Sequence, residues 1–330
     1  MISLNHLLVI SLSFLSLFSC VALAADEYHY VNPVIFQRFD NTGPNAATPD
    51  IPGFYGGASI WVMESNGSYL SLLKHPGSGS AAKHLDHPSI TSDGQFFIYA
   101  EFENAEIGRE GIARLYKENL YTGEREVLRE RSNCALHHAA LSLDDEVLTY
   151  TQECEGVNRL LTEIAGSITA VHPIPASARV SNGVSANMSV VYQNEQRSHA
   201  GSGRAIAIIL STFDDQGNRT DRTIADWGFR NRRAAISIDG ASVAWQSNST
   251  TGGGTDDILL LNLENSDAAA KKLTQHPAND GHPWFSRDGN SLLFESDRTG
   301  NWEIFKLHIP TGVLIQLTDD PSYVSTRPRW

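Results

Sequence analysis

The sequence predicts an all-β fold: a six-bladed β-propeller of four-stranded antiparallel blades, with the ring closed by a C-terminal strand that completes the N-terminal blade. Three observations predict it. Near the C-terminus, HPWFSRDGNSLLFESDRTGNWEIFKLHIPTGVLIQLTDDP (282–321) packs four strand signals and their turns into about forty residues. The same phrase recurs upstream at spacings of about forty-five to fifty residues. The chain then stops on RPRW (327–330), the opening strand of one more copy.

The last repeat sets the pattern. Pro283 to Ser286 reads as a first strand, and Asp288-Gly289 supplies the positive φ that a tight hairpin turn needs. Leu292 to Phe294 make a second strand, and Ser296 to Asn301 a longer loop organised by Asp297 and Asn301. Trp302 to Leu307 alternate as a third strand, Pro310-Thr311-Gly312 turn the chain, and Val313 to Leu317 form the fourth. Earlier copies begin at His87 (HPSITSDGQFFIYAE), His137 (HHAALSLDDEVLTYTQE), Val180 (VSNGVSANMSVVYQNE) and Arg232 (RRAAISIDGASVAWQSN). The Val180 copy has a degraded turn signal. GASIWVMESNGSYLSLL (57–73) reads as third and fourth strands around an Asn-Gly turn, with the second strand within Tyr28 to Phe39. The missing first strand is the C-terminal RPRW. Closure of this kind leaves no open sheet edge between the ends of the ring.

These units resemble the WD40-like repeats of the TolB-type β-propellers, most clearly in HPWFSRDGNSLLFESDRTGNWEIFKL and IWVMESNGSYLSLL. The resemblance covers nearly the whole chain after residue 25 and fades between about residues 155 and 232. It implies a fold, and it implies an adaptor role in a cell-envelope complex as one function among many that such folds host.

The first twenty-five residues hold no Asp, Glu, Lys or Arg, and HLLVISLSFLSLFSCVALAA leads into A-x-A at Ala22 to Ala24. Residues 1–24 are therefore expected to be a signal peptide and 25–330 a single propeller domain. A lipoprotein anchor at Cys20 and an uncleaved membrane anchor are the rival readings. No other apolar run reaches the length of a span, so the mature chain is expected to lack one. The formal net charge of −13 lies entirely in the mature part and disfavours nucleic-acid binding. The expectation is an exported protein, periplasmic or secreted, and a monomer. Cys134 and Cys154 flank the Asp144-Asp145 turn almost symmetrically. In an antiparallel hairpin that register sets them opposite each other, which predicts a disulfide; two unrelated buried thiols are the alternative. No CxxC occurs. No G-x-S-x-G or phosphate loop singles out an enzyme, although a metal-dependent one stays open.

The position just before each first strand reads His87, His138, Asn182, Arg233, His282 and Arg327, with Arg232 and Arg329 beside them. None is acidic in a strongly acidic chain. This predicts a cationic channel mouth that takes an anionic carbohydrate or a peptide carboxylate, since the arginine fork holds a carboxylate through two hydrogen bonds. Trp227, Trp302 and Tyr55 are candidates for an apolar wall. The competing reading is structural: such residues pair with nearby Asp86, Asp226, Asp280 or Asp320. No cofactor is expected. A divalent metal is the alternative, held by His87, His138 and His282 with Gln152 or Gln246. Resemblance to the oligogalacturonate lyases, which use histidines and a glutamine around a metal, would then imply lyase or hydrolase action on acidic oligosaccharide.

Overall fold

A computed structural model describes residues 28–41, 58–77, 83–103, 111–142, 144–173, 182–184, 189–197, 204–214, 218–265 and 269–330. The expected leader and residues 42–57, with the candidate wall residue Tyr55, lie outside these residues. Strand dominates, and a single 3-10 turn spans Ser249–Thr251 among the described residues. No helix there is long and apolar enough to cross a membrane.

The strands sort into six antiparallel sets of four. Blade 1 holds β1 (Pro33–Asp40), β2 (Ser59–Glu64) and β3 (Ser71–Lys74), with β24 (Tyr323–Arg329) on its inner side. Blade 2 is β4 (His84–Ile90), β5 (Phe96–Phe102), β6 (Ala113–Asn119) and β7 (Arg125–Arg129). Blade 3 is β8 (Cys134–Leu141), β9 (Val147–Cys154), β10 (Val157–Ile164) and β11 (Ser167–Pro173). A lone parallel bridge, Ala113 to Ala135, joins these two blades into one eight-stranded sheet. Blade 4 is β12 (Asn182–Val184), β13 (Val190–Arg197), β14 (Arg204–Phe213) and β15 (Arg219–Ala225). Blade 5 is β16 (Asn231–Ile236), β17 (Ser242–Ser247), β18 (Asp257–Asn262) and β19 (Lys271–Lys272). Blade 6 is β20 (Asp280–Phe285), β21 (Ser291–Ser296), β22 (Glu303–His308) and β23 (Val313–Gln316).

The inner strands touch in a full circle: β24, β4, β8, β12, β16, β20 and back to β24. Closure runs through the expected pair, with β24 antiparallel to β1 from Asp40–Tyr323 to Ile35–Arg329. Apolar side chains of the middle strands fill the wedges between blades. Val34, Phe36 and Met63 of blade 1 belong to one buried cluster with Leu292, Phe294 and Phe305 of blade 6. The S-x-D-G phrases form the predicted turns. In blade 6, Ser286 Oγ donates to Asp288 Oδ1 at 2.5 Å, which also accepts the Asn290 N–H at 3.0 Å, and Gly289 takes φ 69°. Cys134 and Cys154 face each other across β8 and β9 and are bonded, with their Cα atoms 4.5 Å apart.

The candidate functional site in the central channel

The innermost strands do not run straight. Ladder register shifts between Asp86 and Ser89, between His137 and Ala140, between Arg232 and Ala235, and between Gly281 and Trp284. In β24 the shift falls between Thr326 and Arg329. Each shift is a β-bulge, which bends a strand and re-aims a side chain. The bulged residues are His87, His138, Arg233, His282 and Arg327, with φ of 48°, 53°, 54°, 46° and 52°. A left-handed backbone costs a non-glycine residue about 1–2 kcal/mol, so something must hold it.

The holder is the preceding blade. Gln37 Oε1 of blade 1 accepts the His87 N–H of blade 2 at 3.3 Å, and Gln193 Oε1 of blade 4 accepts the Arg233 N–H of blade 5 at 3.0 Å. Glu295 Oε2 of blade 6 accepts the Arg327 N–H of blade 1 at 2.8 Å. At these three bulges the amide left out of the ladder thus finds its partner on the neighbouring second strand. These residues therefore lie within the inner strands, along the channel wall, and not ahead of the strands at its mouth as the repeat phrase suggested. Asn182 departs from the set. Gly183 pairs with Val191 as Ala235 pairs with Ala244, so Asn182 stands one residue beyond the position equivalent to Arg233. The eroded turn of this repeat misaligned it, and its side chain lies outside the described residues.

Two buried carboxylates, Asp86 and Glu295, sit among the cations. Glu295 Oε1 meets His282 Nδ1 at 2.5 Å and Arg233 Nη1 at 3.4 Å. Asp86 Oδ1 meets His87 Nδ1 at 2.8 Å and Arg327 Nη1 at 3.2 Å, and that same guanidinium nitrogen donates to Gln37 Oε1 at 3.0 Å. The His87 and His138 rings lie 4.1 Å apart, and His137 and His138 share a hydrogen bond through their Nδ1 atoms. Arg329 donates to the Ala139 carbonyl and lies over Trp284, 4.5 Å from the ring centroid. Burial lowers its pKa to about 10, against the attraction of Asp86, so it stays charged at neutral pH. A polar belt thus links blades 5, 6, 1, 2 and 3.

Three arginines (Arg233, Arg327, Arg329) face two carboxylates, so with neutral imidazoles the belt carries one net positive charge. The space between His87, Arg233, His282, Arg327 and Arg329 is about 10 Å³, close to the minimum of about 10–15 Å³ that one water requires. A sugar ring has no room there. At the turn face, Arg287 of blade 6 reaches past blade 1 and donates to the carbonyls of Thr91, at 2.9 Å, and Ser92 in blade 2.

Several expected partners are corrected. Asp280 pairs with Arg298 at 2.7 Å, and Asp320 lies 3.6 Å from Arg38. Asp226 accepts the Trp227 N–H. Trp284, not Trp227 or Trp302, supplies the apolar wall; Trp227 packs on the main buried cluster and Trp302 beside Phe39 and Val324. The metal set also changes. Asp86, His87 and His138 bring their ligand atoms within 4.8 Å of one another, whereas His282 is taken by Glu295. Gln152 accepts from Arg131 at 3.0 Å, and Gln246 bridges Arg233 and Asp256. Two imidazoles and a carboxylate suit a first-row metal, but the Arg327 guanidinium on Asp86 opposes a second positive charge at that point.

No family model matches the chain, and no curated sequence matches it. Solved structures do. TolB from Acinetobacter baumannii superposes with TM-score 0.65 at 14% identity, over 92% of this chain and 67% of that one. A TolB structure from Agrobacterium tumefaciens gives 0.56 at 14% identity, over 90% and 98%. A chain of the nidogen/laminin complex gives 0.58 at 8% identity, over 90% and 98%. The fold is a TolB-like β-propeller. At these identities the likeness concerns the fold alone.

Proposed function

We propose that this TolB-like propeller is an exported binding protein whose channel accepts one acidic group presented by a protein partner. The observation that carries the reading is the charge count in the belt: three guanidiniums, two of them buried and that of Arg233 partly exposed, against two carboxylates, around a space too small for a sugar ring. A peptide carboxylate resting at the opening can share the donors of Arg233, the most exposed of the three, while the rest of the ligand lies on the rigid scaffold outside. This narrows the sequence-based choice between acidic carbohydrate and peptide toward the peptide. The apolar leader and the Cys134–Cys154 disulfide support export, because disulfides persist in oxidising compartments. The test is a peptide array that varies the number of Asp and Glu residues and amidates the C-terminus. The reading expects retention to require a carboxylate and to fall about tenfold in Arg233→Ala. Retention indifferent to both would end it.

A second reading rests on the Asp86, His87 and His138 cluster: a divalent metal held there, with hydrolytic or lyase chemistry on an acidic oligosaccharide. Elemental analysis of protein purified without an affinity tag decides it. About one metal per chain, lost in His138→Ala, supports this reading; a metal-free protein that still binds acidic peptides removes it.

A further inference from the structure

A larger cleft lies away from the channel, in the wedge between blades 2 and 3. Its volume is about 400 Å³, within the range of about 300–1,000 Å³ typical of small-molecule sites. Ile98 and Leu128 of blade 2 and Leu141 and Leu148 of blade 3 give it an apolar lining. The turn residues Asp145, Glu146, Ala165 and Gly166 form part of its rim.

The polar atoms around this lining are not all hydrogen-bonded. Arg129 and Glu163 neutralise each other, with Arg129 Nε 3.0 and 2.9 Å from the two carboxylate oxygens and the Tyr150 hydroxyl donating to Glu163 at 2.7 Å. Lys117 lies over the face of Phe96, its ammonium 4.3 Å from the ring centroid. Asp145 differs. Its Oδ2 accepts the Ser92 N–H at 2.6 Å and its charge is attracted by the nearby Arg287 guanidinium, which is committed to the Thr91 and Ser92 carbonyls, while its Oδ1 has no hydrogen-bond donor among the described residues. Glu146 stands exposed beside it. A buried acceptor without a donor costs about 1–3 kcal/mol, and a ligand that supplies the donor recovers it.

We propose that the cleft between blades 2 and 3 binds a small organic amine, an apolar body of one ring or short chain carrying a single ammonium group. The body fills the space lined by Ile98, Leu128, Leu141 and Leu148. The ammonium lies at the rim against Asp145 and Glu146, where the strongly negative chain also favours a cation.

Three isosteric probes test this by calorimetric titration at low salt: 4-phenylbutylamine, 4-phenylbutyrate and 4-phenylbutanol. The amine is expected to bind one per chain and at least tenfold more tightly than the acid. In the Asp145→Asn/Glu146→Gln variant its affinity should fall roughly tenfold, the effect of about 1.4 kcal/mol. Asparagine suits the φ of 64° at position 145 and can still accept the Ser92 N–H, so this variant keeps the turn. Leu128→Trp should fill the cleft and abolish binding; where that variant fails to fold, the Asp145/Glu146 variant decides. Equal affinities for amine and acid, or unchanged amine affinity in the double variant, would overturn the proposal.

Discussion

Replacing Glu295 is expected to loosen three blades at once. Its carboxylate is fully buried, accepts the Arg327 N–H of blade 1, and pairs with Arg233 of blade 5 and His282 of its own blade. Glu295→Ala strands the largely buried guanidinium of Arg233 and the bulged amide of Arg327. Breaking a buried ion pair by removing one partner costs about 3–5 kcal/mol. Glu295→Gln keeps an acceptor for the Arg327 amide, as Gln37 and Gln193 do for His87 and Arg233, and gives up only the charge. Its loss should therefore be smaller, about 1.5–3 kcal/mol, the worth of a hydrogen bond to a charged group. Urea unfolding of the three proteins measures this through the midpoint, with the slope unchanged if the folded surface is intact. A Glu295→Ala protein within about 0.5 kcal/mol of the parent, the range of ordinary surface substitutions, would show that Glu295 does not tie the blades together. A glutamine variant no better than the alanine one would show that the Arg327 amide does not depend on an acceptor there.

Other expectations follow from the turns and the staples. Intact mass under non-reducing conditions should show Cys134 and Cys154 bonded, and removing the bond should cost about 3 kcal/mol by loop closure; free thiols would contradict the pairing. Arg287→Ala removes the link from blade 6 to the Thr91 and Ser92 carbonyls and should lower stability by about 1–2 kcal/mol, read by thermal unfolding. An unchanged midpoint would show that the link contributes nothing. The hydroxyls of Ser237 and Ser286, helped by the Ala241 and Asn290 amides, hold Asp239 and Asp288 below the usual carboxylate range. Folded-state values below the unfolded ones mean that their stabilisation is present above about pH 4 and is lost as the pH falls through the folded values. Stability measured from pH 5 to 2 should thus decline less steeply in Asp239→Asn/Asp288→Asn than in the parent.

The turns were legible because their chemistry is local. Ser237, Asp239 and Gly240, like Ser286, Asp288 and Gly289, make their hydrogen bonds within a few residues, so the phrase carries its own geometry. The disulfide was legible for a related reason: a hairpin maps symmetric spacing onto direct opposition. The belt was not. Arg327 meets Asp86 across 241 residues of sequence, and Arg233 meets Glu295 across 62. The bulges that aim them into the channel break the two-residue alternation from which strands are read. Glu295 escaped notice although a signal exists, since its place in the second strand is held by Gln37, Gln193 and Gln246 in other blades. At Gln37, Gln193 and Glu295 that amide-or-acid column holds the amide of the next bulge. In blade 4 the eroded turn hid the register, and Asn182 was aligned one residue off.

Crystals grown in sodium bromide reveal whether the channel takes an anion, because bromide is located by its anomalous scattering. A bromide peak is expected in the channel among Arg233, Arg327 and Arg329, weakened in Arg233→Ala. An empty channel would show that the belt accepts no anion, and a bound manganese at Asp86, His87 and His138 after soaking in that metal would make it a cation site instead.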